Sequence, residues 1–366
     1  MDEAAAIPVP LLLKMLAHYP RIVFASTLIG YEGNGRGYTI RFSNYIKAHY
    51  KASKVVTLDE PLRFAKHDPL EKHIRTLLAL DAEYIELSSD ELEQPVHSEI
   101  TQQSLVNNEP LLQQVIALLA LAHYQSSVND LRQLLDAPSQ RLFISKINNQ
   151  LVGVCLIAIE GGLSEELALQ VISGERRPQG HLMVQALSQL SFNNDCLIQL
   201  SARVVRIAID PSSHNIGLGK KLLSYCESQV KDQCSWFGAS FGATAQLLNF
   251  WQNLGFDTVK LGYQRDKSTA EHSALVVKCL SDKSTIIQSL KKQFKNDFFY
   301  ALLTHFKTLD WQLVNILIEG FSDELISLET HERLALLTKS NFTQFSISAT
   351  LWQLLSQSPS YISQLT

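Results

Sequence analysis

The run Val204-Val205-Arg206-Ile207-Ala208-Ile209-Asp210-Pro211-Ser212-Ser213-His214-Asn215-Ile216-Gly217-Leu218-Gly219-Lys220-Lys221 joins a β-branched segment to a helical one through a turn that carries two glycines. The chemistry this spacing suits is binding of a pyrophosphate. Gly217 and Gly219 remove the Cβ atoms that would hold an anion away, so successive backbone N–H groups, and the N-terminus of a helix beginning near Leu218, can point at it. Pro211 marks the exit from a strand predicted over 204–209. A plain strand-turn-helix with two turn glycines carries the same letters, so the loop alone does not select a ligand.

Other residues with chemical potential are scattered. His123 and His181 each read as a base or as a satisfied helix or loop histidine. Cys155, Cys196, Cys226, Cys234 and Cys279 show no paired metal spacing and sit mostly in apolar contexts, which predicts reduced core thiols and implies no zinc site. Three cationic clusters, Arg176-Arg177, Lys220-Lys221 and Lys291-Lys292 with Lys295, stand on a chain of net charge −4. That balance argues against a protein coated in nucleic acid but leaves room for local patches, and a charge run is otherwise a solvated face.

The elements that must position these residues follow from pattern and punctuation. A chain of 366 residues exceeds one core, so two or three domains are expected. Residues 1–95 alternate strands at 22–28 and 55–58 with helices at 10–18 and 69–80, which suits the tail of a RecA-like lobe. The polar stretch 88–103 is a boundary. Helices are predicted at 111–124 and 128–135, then strands at 141–147 and 151–160 joined by an Asn148-Asn149 turn. A strand at 234–241, a helix at 243–254, an aromatic corner and a last strand at 273–279 follow. Beyond 281 the periodicity is helical, at 285–306, 311–320 and 334–357. The expected domains are therefore 1–95, 96–280 and 281–366, in the α/β class with a helical tail. The apolar run 111–124 is broken by Gln113 and Gln114 and is too short for a bilayer, and the N-terminus lacks the cationic start of a signal peptide. A soluble cytoplasmic protein without membrane partners is expected.

The order strand, glycine loop, helix, strand, helix, Leu254-Gly255-Phe256 corner and final strand resembles the acetyl-CoA-binding core of the GCN5-related N-acetyltransferases. Their loop reads Gln/Arg-x-x-Gly-x-Gly/Ala, and His214 stands where Gln or Arg is usual. Further stretches extend the resemblance to the bacterial tRNA(Met) cytidine acetyltransferase family: Gly30-Tyr31-Glu32-Gly33-Asn34-Gly35-Arg36-Gly37-Tyr38, Pro61-Leu62-Arg63-Phe64-Ala65, Ala122-His123-Tyr124, Leu135-Asp136-Ala137-Pro138, Glu160-Gly161-Gly162-Leu163-Ser164 and Arg176-Arg177-Pro178. With Asp2-Glu3-Ala4-Ala5-Ala6-Ile7-Pro8 they span residues 2 to about 280, which resembles the end of a helicase-like module followed by the acetyltransferase domain.

The resemblance implies acetyl-CoA as cofactor. Backbone groups of Ile207, Ala208 and Ile209 would meet the pantetheine arm, and His214, Asn215, Ile216, Gly217, Leu218, Gly219 and Lys220 the pyrophosphate. Gln246 and Asn253 fall where the family makes charged contacts through Glu and Arg, which predicts reduced cofactor affinity. Many acetyltransferases place a Tyr acid at the position of Trp251, whose indole is no useful acid, and the cytidine family resembles this chain in having Trp there. His214 is expected to contact phosphate in preference to moving a proton, and no residue is assigned as the base. Arg176 and Arg177 are expected to contact tRNA.

The family also carries a Walker A loop upstream of an Asp-Glu pair. Here Met1 immediately precedes Asp2-Glu3, and no Gly-x-x-x-x-Gly-Lys-Ser/Thr occurs. ATP or GTP with Mg²⁺ is therefore expected only if a separate chain supplies that part, with Arg36 reaching the triphosphate. The expected function is transfer of acetyl to N4 of the wobble cytidine of elongator tRNA(Met). The alternatives are an acetyltransferase for a protein or small amine, and a truncated, non-catalytic tRNA-binding product.

Overall fold

The computed structural model describes residues 1–26, 42–58, 60, 65, 68–79, 82, 84–85, 94–122, 128–214, 216–266, 269–281 and 284–319. They build a seven-stranded sheet with flanking helices, the α/β class expected. It divides into two compact units, Met1–Glu160 with Ala202–Asp232 and Asp266–Ala270, and Gly161–Ser201 with Gln233–Arg265 and Glu271–Thr366.

In the first unit, α1 (Val9–His18), α2 (Ser43–His49) and α3 (Pro69–Leu77) lie in the N-terminal part. Leu12, Ala4 and Phe42 form a small buried cluster, with Phe24 edge-on to Phe42 at 4.9 Å. The strand expected at 22–28 is not formed in its described part: 23–25 instead pair with the chain start through Met1 N–H to Val23 O (2.8 Å) and Ala25 N–H to Met1 O (2.8 Å). Nor is there a strand at 55–58, where Val55, Val56 and Leu58 are 80%, 80% and 90% exposed; an apolar run with no neighbouring strand has no ladder to join. Helix α3 starts at Pro69, with Asp68 accepting from the Leu70 N–H at 2.8 Å, and stops short of the expected residue 80.

The sheet begins with β1 (Val96–Ile100), inside the stretch expected to be a boundary. This polar strand pairs antiparallel with β2 (Gln140–Ile147), and Glu99 takes both guanidinium arms of Arg141 at 2.8 and 2.7 Å. Strand β2 turns back into β3 (Gln150–Glu160) through Asn148 and Asn149, at φ 51° and 62°, the type I′ geometry that Asn tolerates. Between β1 and β2 in the chain, α4 (Gln102–Val106), α5 (Glu109–Ala122) and α6 (Val128–Asp136) cover one face, where Leu105, Val115, Leu118 and Leu134 bury against Ile144, Val154 and Leu156.

The second unit holds α7 (Glu165–Ile172), α8 (Leu182–Ser191) and α9 (Asp195–Ile198). Its strands are β5 (Trp236–Gly242), β6 (Asp257–Arg265) and β7 (His272–Cys279), with β7 between β5 and β6 and both pairings antiparallel. The sequence pattern had not marked β6. Helices α11 (Ala245–Gln252), α12 (Ser284–Thr304) and α13 (Trp311–Glu319) complete it, so the tail is helical as far as it is described; the helix expected at 334–357 lies outside the described residues. Met183 and Leu187 from α8, and Ile287 and Leu290 from α12, bury against Trp236, Val259, Leu275 and Val277.

Candidate functional site

Strand β4 (Ser201–Ile209) enters the glycine loop from the first unit. Ala208 is buried among Ile144, Val154 and Leu156, while Ile207 and Ile209 are half-buried. Gly153 on β3 eases the packing here: a Cβ on it would meet Ile209 Cδ1 at 3.0 Å, Ser145 Cβ at 3.1 Å and Leu222 Cδ2 at 3.3 Å, so these neighbours would have to give by a few tenths of an ångström.

Beyond β4, Asp210 is fully buried and organises the turn. Its Oδ1 accepts from the Ser212 N–H (2.8 Å) and the Ser212 hydroxyl (2.6 Å), its own N–H donates to Val152 O (2.9 Å), and its Oδ2 accepts from the Tyr84 hydroxyl at 2.7 Å. Residues Pro211–Ser213 form a 3₁₀ turn. The His214 ring lies with Nε2 3.0 Å from the Ile209 carbonyl; since a carbonyl only accepts, Nε2 carries the proton in this contact. Asn215 lies outside the described residues.

Gly217 is the N-cap of α10 (Leu218–Val230), at φ 85° and ψ 5°, with nothing within 4 Å of where a Cβ would stand. The first intrahelical bond runs from the Lys221 N–H to Gly217 O (3.1 Å), which leaves the N–H groups of Leu218, Gly219 and Lys220 without helical acceptors. No acidic residue sits in this first turn, no side chain caps it, and Ile216 and Lys220 are exposed. The acetyl-CoA that the resemblance implies fits these residues: open space before Gly217, N–H groups seeking an anion, and no carboxylate to repel one.

In the second unit, Gln246 is exposed in the first turn of α11, whose N-cap Thr244 accepts from the Leu247 N–H at 3.3 Å. Asn253 is the exposed C-cap and donates to Asn249 Oδ1 at 3.0 Å. Trp251 is 3% exposed, with its ring against Phe241, Phe250 and Phe256 at 5.9, 5.4 and 4.9 Å. It is a packing residue of the aromatic corner.

His181 caps α8 and accepts the Gly161 N–H on Nδ1 at 3.0 Å, a satisfied histidine. Arg176 and Arg177 are exposed on the loop after α7, where the Arg176 N–H donates to Gln170 O. The tail lysines do not form one cationic surface as their spacing suggested. Lys291 is paired with Asp257 at 2.7 Å and Lys295 is 4% exposed, because residues four apart on α12 share the face that packs on the sheet. Asp2 and Glu3 are exposed. Arg36 and His123 lie outside the described residues.

Neither Tyr84 nor the ion pairs Arg203–Glu160 and Arg206–Asp130, at 2.5 and 2.7 Å, are legible in the sequence, since their partners are distant in the chain. Four cysteines are buried and Cys279 is half-buried. Burial first, and then the Cys226 thiol beside it, push the Cys155 thiol well above its ordinary range.

Residues 1–81 match the family model of the RNA cytidine acetyltransferase NAT10/TcmA helicase domain, and residues 114–231 and 220–281 match the GNAT acetyltransferase 2 model. The chain is 36% identical over 306 residues to tRNA(Met) cytidine acetyltransferase TmcA of Nitrosococcus halophilus, a match covering 82% of this chain and 41% of that protein. It is 37% identical over 283 residues to the TmcA of Salmonella typhimurium, covering 77% and 41%. The chain thus spans about two-fifths of the length of these curated relatives. Among solved structures it is similar to Drosophila melanogaster polyamine N-acetyltransferase, with 13% identity, a TM-score of 0.36 and coverage of 51% of this chain and 100% of that one. In one chain, then, a segment matching the helicase domain of the RNA cytidine acetyltransferases NAT10/TcmA precedes a segment matching the GNAT acetyltransferase 2 domain.

Proposed function

We propose that the chain binds acetyl-CoA at the loop between β4 and α10 and transfers the acetyl group to N4 of the wobble cytidine of elongator tRNA(Met), acting in the cytoplasm. The observation that carries this is the left-handed Gly217, which opens α10 with three N–H groups unused by the helix. Acetyl-CoA would supply the thioester: N4 attack forms the C–N bond as the C–S bond breaks, and the proton lost from N4 ends on the departing sulfur, giving the CoA thiol with no net proton released.

The chain's own residues bind and orient. The N–H groups of residues 218–220 hold the pyrophosphate, whose charge does not change during the transfer, so they bind and orient the cofactor. His214 secures the loop through Ile209 O, so its Nε2 is already committed to a structural contact. Trp251, buried among aromatic rings, protonates nothing. Cytosine N4 is neutral at pH 7 with its lone pair delocalised into the ring, so positioning outweighs prior deprotonation. ATP or GTP with Mg²⁺ takes part only where a Walker A loop, absent from these 366 residues, is supplied by a further segment or chain.

The test is mass analysis of purified tRNA(Met) for N4-acetylcytidine after incubation with the chain and acetyl-CoA, with and without nucleotide. Acetylation of the wobble cytidine is expected. Binding of acetyl-CoA with no product on tRNA, beside acetylation of a protein or amine in the same mixture, would reject the substrate.

A further inference from the structure

The segment between the two family matches, residues 82–113, is claimed by neither of them. Within it, Tyr84 and Ile85 are fastened to the acetyltransferase part of their own unit. The Ile85 N–H donates to Gln114 Oε1 at 3.3 Å, and its carbonyl accepts from Gln150 Nε2 at 2.8 Å. The Tyr84 hydroxyl lies 2.7 Å from both Leu151 O, near the start of β3, and Asp210 Oδ2, on the first residue of the glycine loop; its single proton goes to the carboxylate, the stronger acceptor. The Tyr84 ring packs against the cluster of Leu118, Ile144 and Leu151.

Asp210 has no exposure, so its carboxylate must be served by protein donors. Oδ1 is taken by Ser212 and draws the 3₁₀ turn tight; Oδ2 faces Tyr84. The orientation of this carboxylate sets where residues 211–213 lie, and Gly217 follows four residues later in the chain. A hydroxyl from a residue 126 positions away therefore fixes the entry of the loop from outside the motif.

We propose that Tyr84 is a positioning residue for the acetyl-CoA loop, holding Asp210 so that the N–H groups of residues 218–220 converge on the pyrophosphate. This rests on the reading that the loop binds acetyl-CoA. A net hydrogen bond of this kind corresponds to a change of about three- to tenfold in an equilibrium constant.

The experiment uses the full chain and three variants, Tyr84→Phe, Asp210→Asn and Gly217→Glu, with acetyl-CoA titration calorimetry and ligand-free amide exchange. Tyr84→Phe keeps the packed ring. It is expected to raise the acetyl-CoA Kd about three- to tenfold and to speed exchange at Ser212 and Ser213, leaving β1 and β2 unchanged; should it fail to fold, Asp210→Asn carries the same expectation. Wild-type affinity and exchange in Tyr84→Phe, beside lost affinity in Gly217→Glu, overturns the role of Tyr84 alone. Faster exchange spread evenly over the unit overturns it too, as that marks general loosening. Gly217→Glu binding like wild type overturns the site itself and the proposal with it.

Discussion

The Arg203 guanidinium lies 2.5 Å from the Glu160 carboxylate, and Glu160 has no solvent exposure while Arg203 keeps 15%. The pair joins the last residue of β3 to the third residue of β4, within the strand that leads to the glycine loop. Removing one member of a buried pair leaves the other charge uncompensated, at a cost of about 3–5 kcal/mol. Arg203→Ala is therefore expected to destabilise the chain by about 3 kcal/mol in urea unfolding. The double variant Arg203→Met/Glu160→Gln is expected to recover at least half of that, because no buried charge remains.

His97 gives a pH dependence. It stacks on Tyr225 with ring centroids 5.5 Å apart, and its Nδ1 is buried without a hydrogen-bond partner among the described residues. Burial first, and the nearby Lys221 charge second, hold its pKa below the ordinary value. The neutral form is favoured in the fold, so the unfolded chain binds more protons in the window beneath about 6.5. This contribution to stability is complete above that pH and is lost as pH falls through it. Thermal melting from pH 7.5 to 5.5 should show a decline that His97→Phe reduces; an identical slope in the variant would place the sensitivity elsewhere.

Gly217→Glu and Gly219→Glu should each weaken acetyl-CoA binding at least tenfold. A carboxylate then enters the first turn of α10, which carries no acid, and at position 217 a side chain must also adopt φ 85°. Losing two charge-assisted backbone bonds of about 1.5–3 kcal/mol each exceeds that factor. Calorimetry on both variants checks the expectation.

Arg176 and Arg177 are exposed cations on one loop. Replacing both by Ala should weaken tRNA binding and lower the salt slope of log affinity by about two, while acetyl-CoA affinity stays near wild type. Filter binding across a salt series measures it, and an unchanged slope would make the pair solvated surface.

Trp251→Phe should cost about 1–3 kcal/mol of stability through the space it leaves among Phe241, Phe250 and Phe256. The pH profile of acetyl transfer should not move. A lost alkaline limb would give the indole a chemical part that its burial argues against.

The features legible from residue order are local ones. The exit of β4 at Asp210-Pro211, the Asn148-Asn149 turn and the start of α10 at Leu218 were legible because glycine, proline and asparagine act on the backbone of their own residue. So were the glycines of 214–220, on which the proposed anion site rests, and the family resemblance. Tertiary structure decided what depends on a partner far along the chain. Strand β6 went unseen because Lys260, Tyr263, Gln264 and Arg265 are exposed and its register against β7 shifts, which blurs the alternation. Strand β1 is too polar to announce itself and exists because β2 supplies its ladder and Arg141 its counter-ion. Lys295 reads as surface charge until α12 turns it inward, and Tyr84 means nothing until folding brings it 2.7 Å from Asp210. Hydrogen bonds and burial act across space, and a local pattern records only the residues that neighbour one another along the chain.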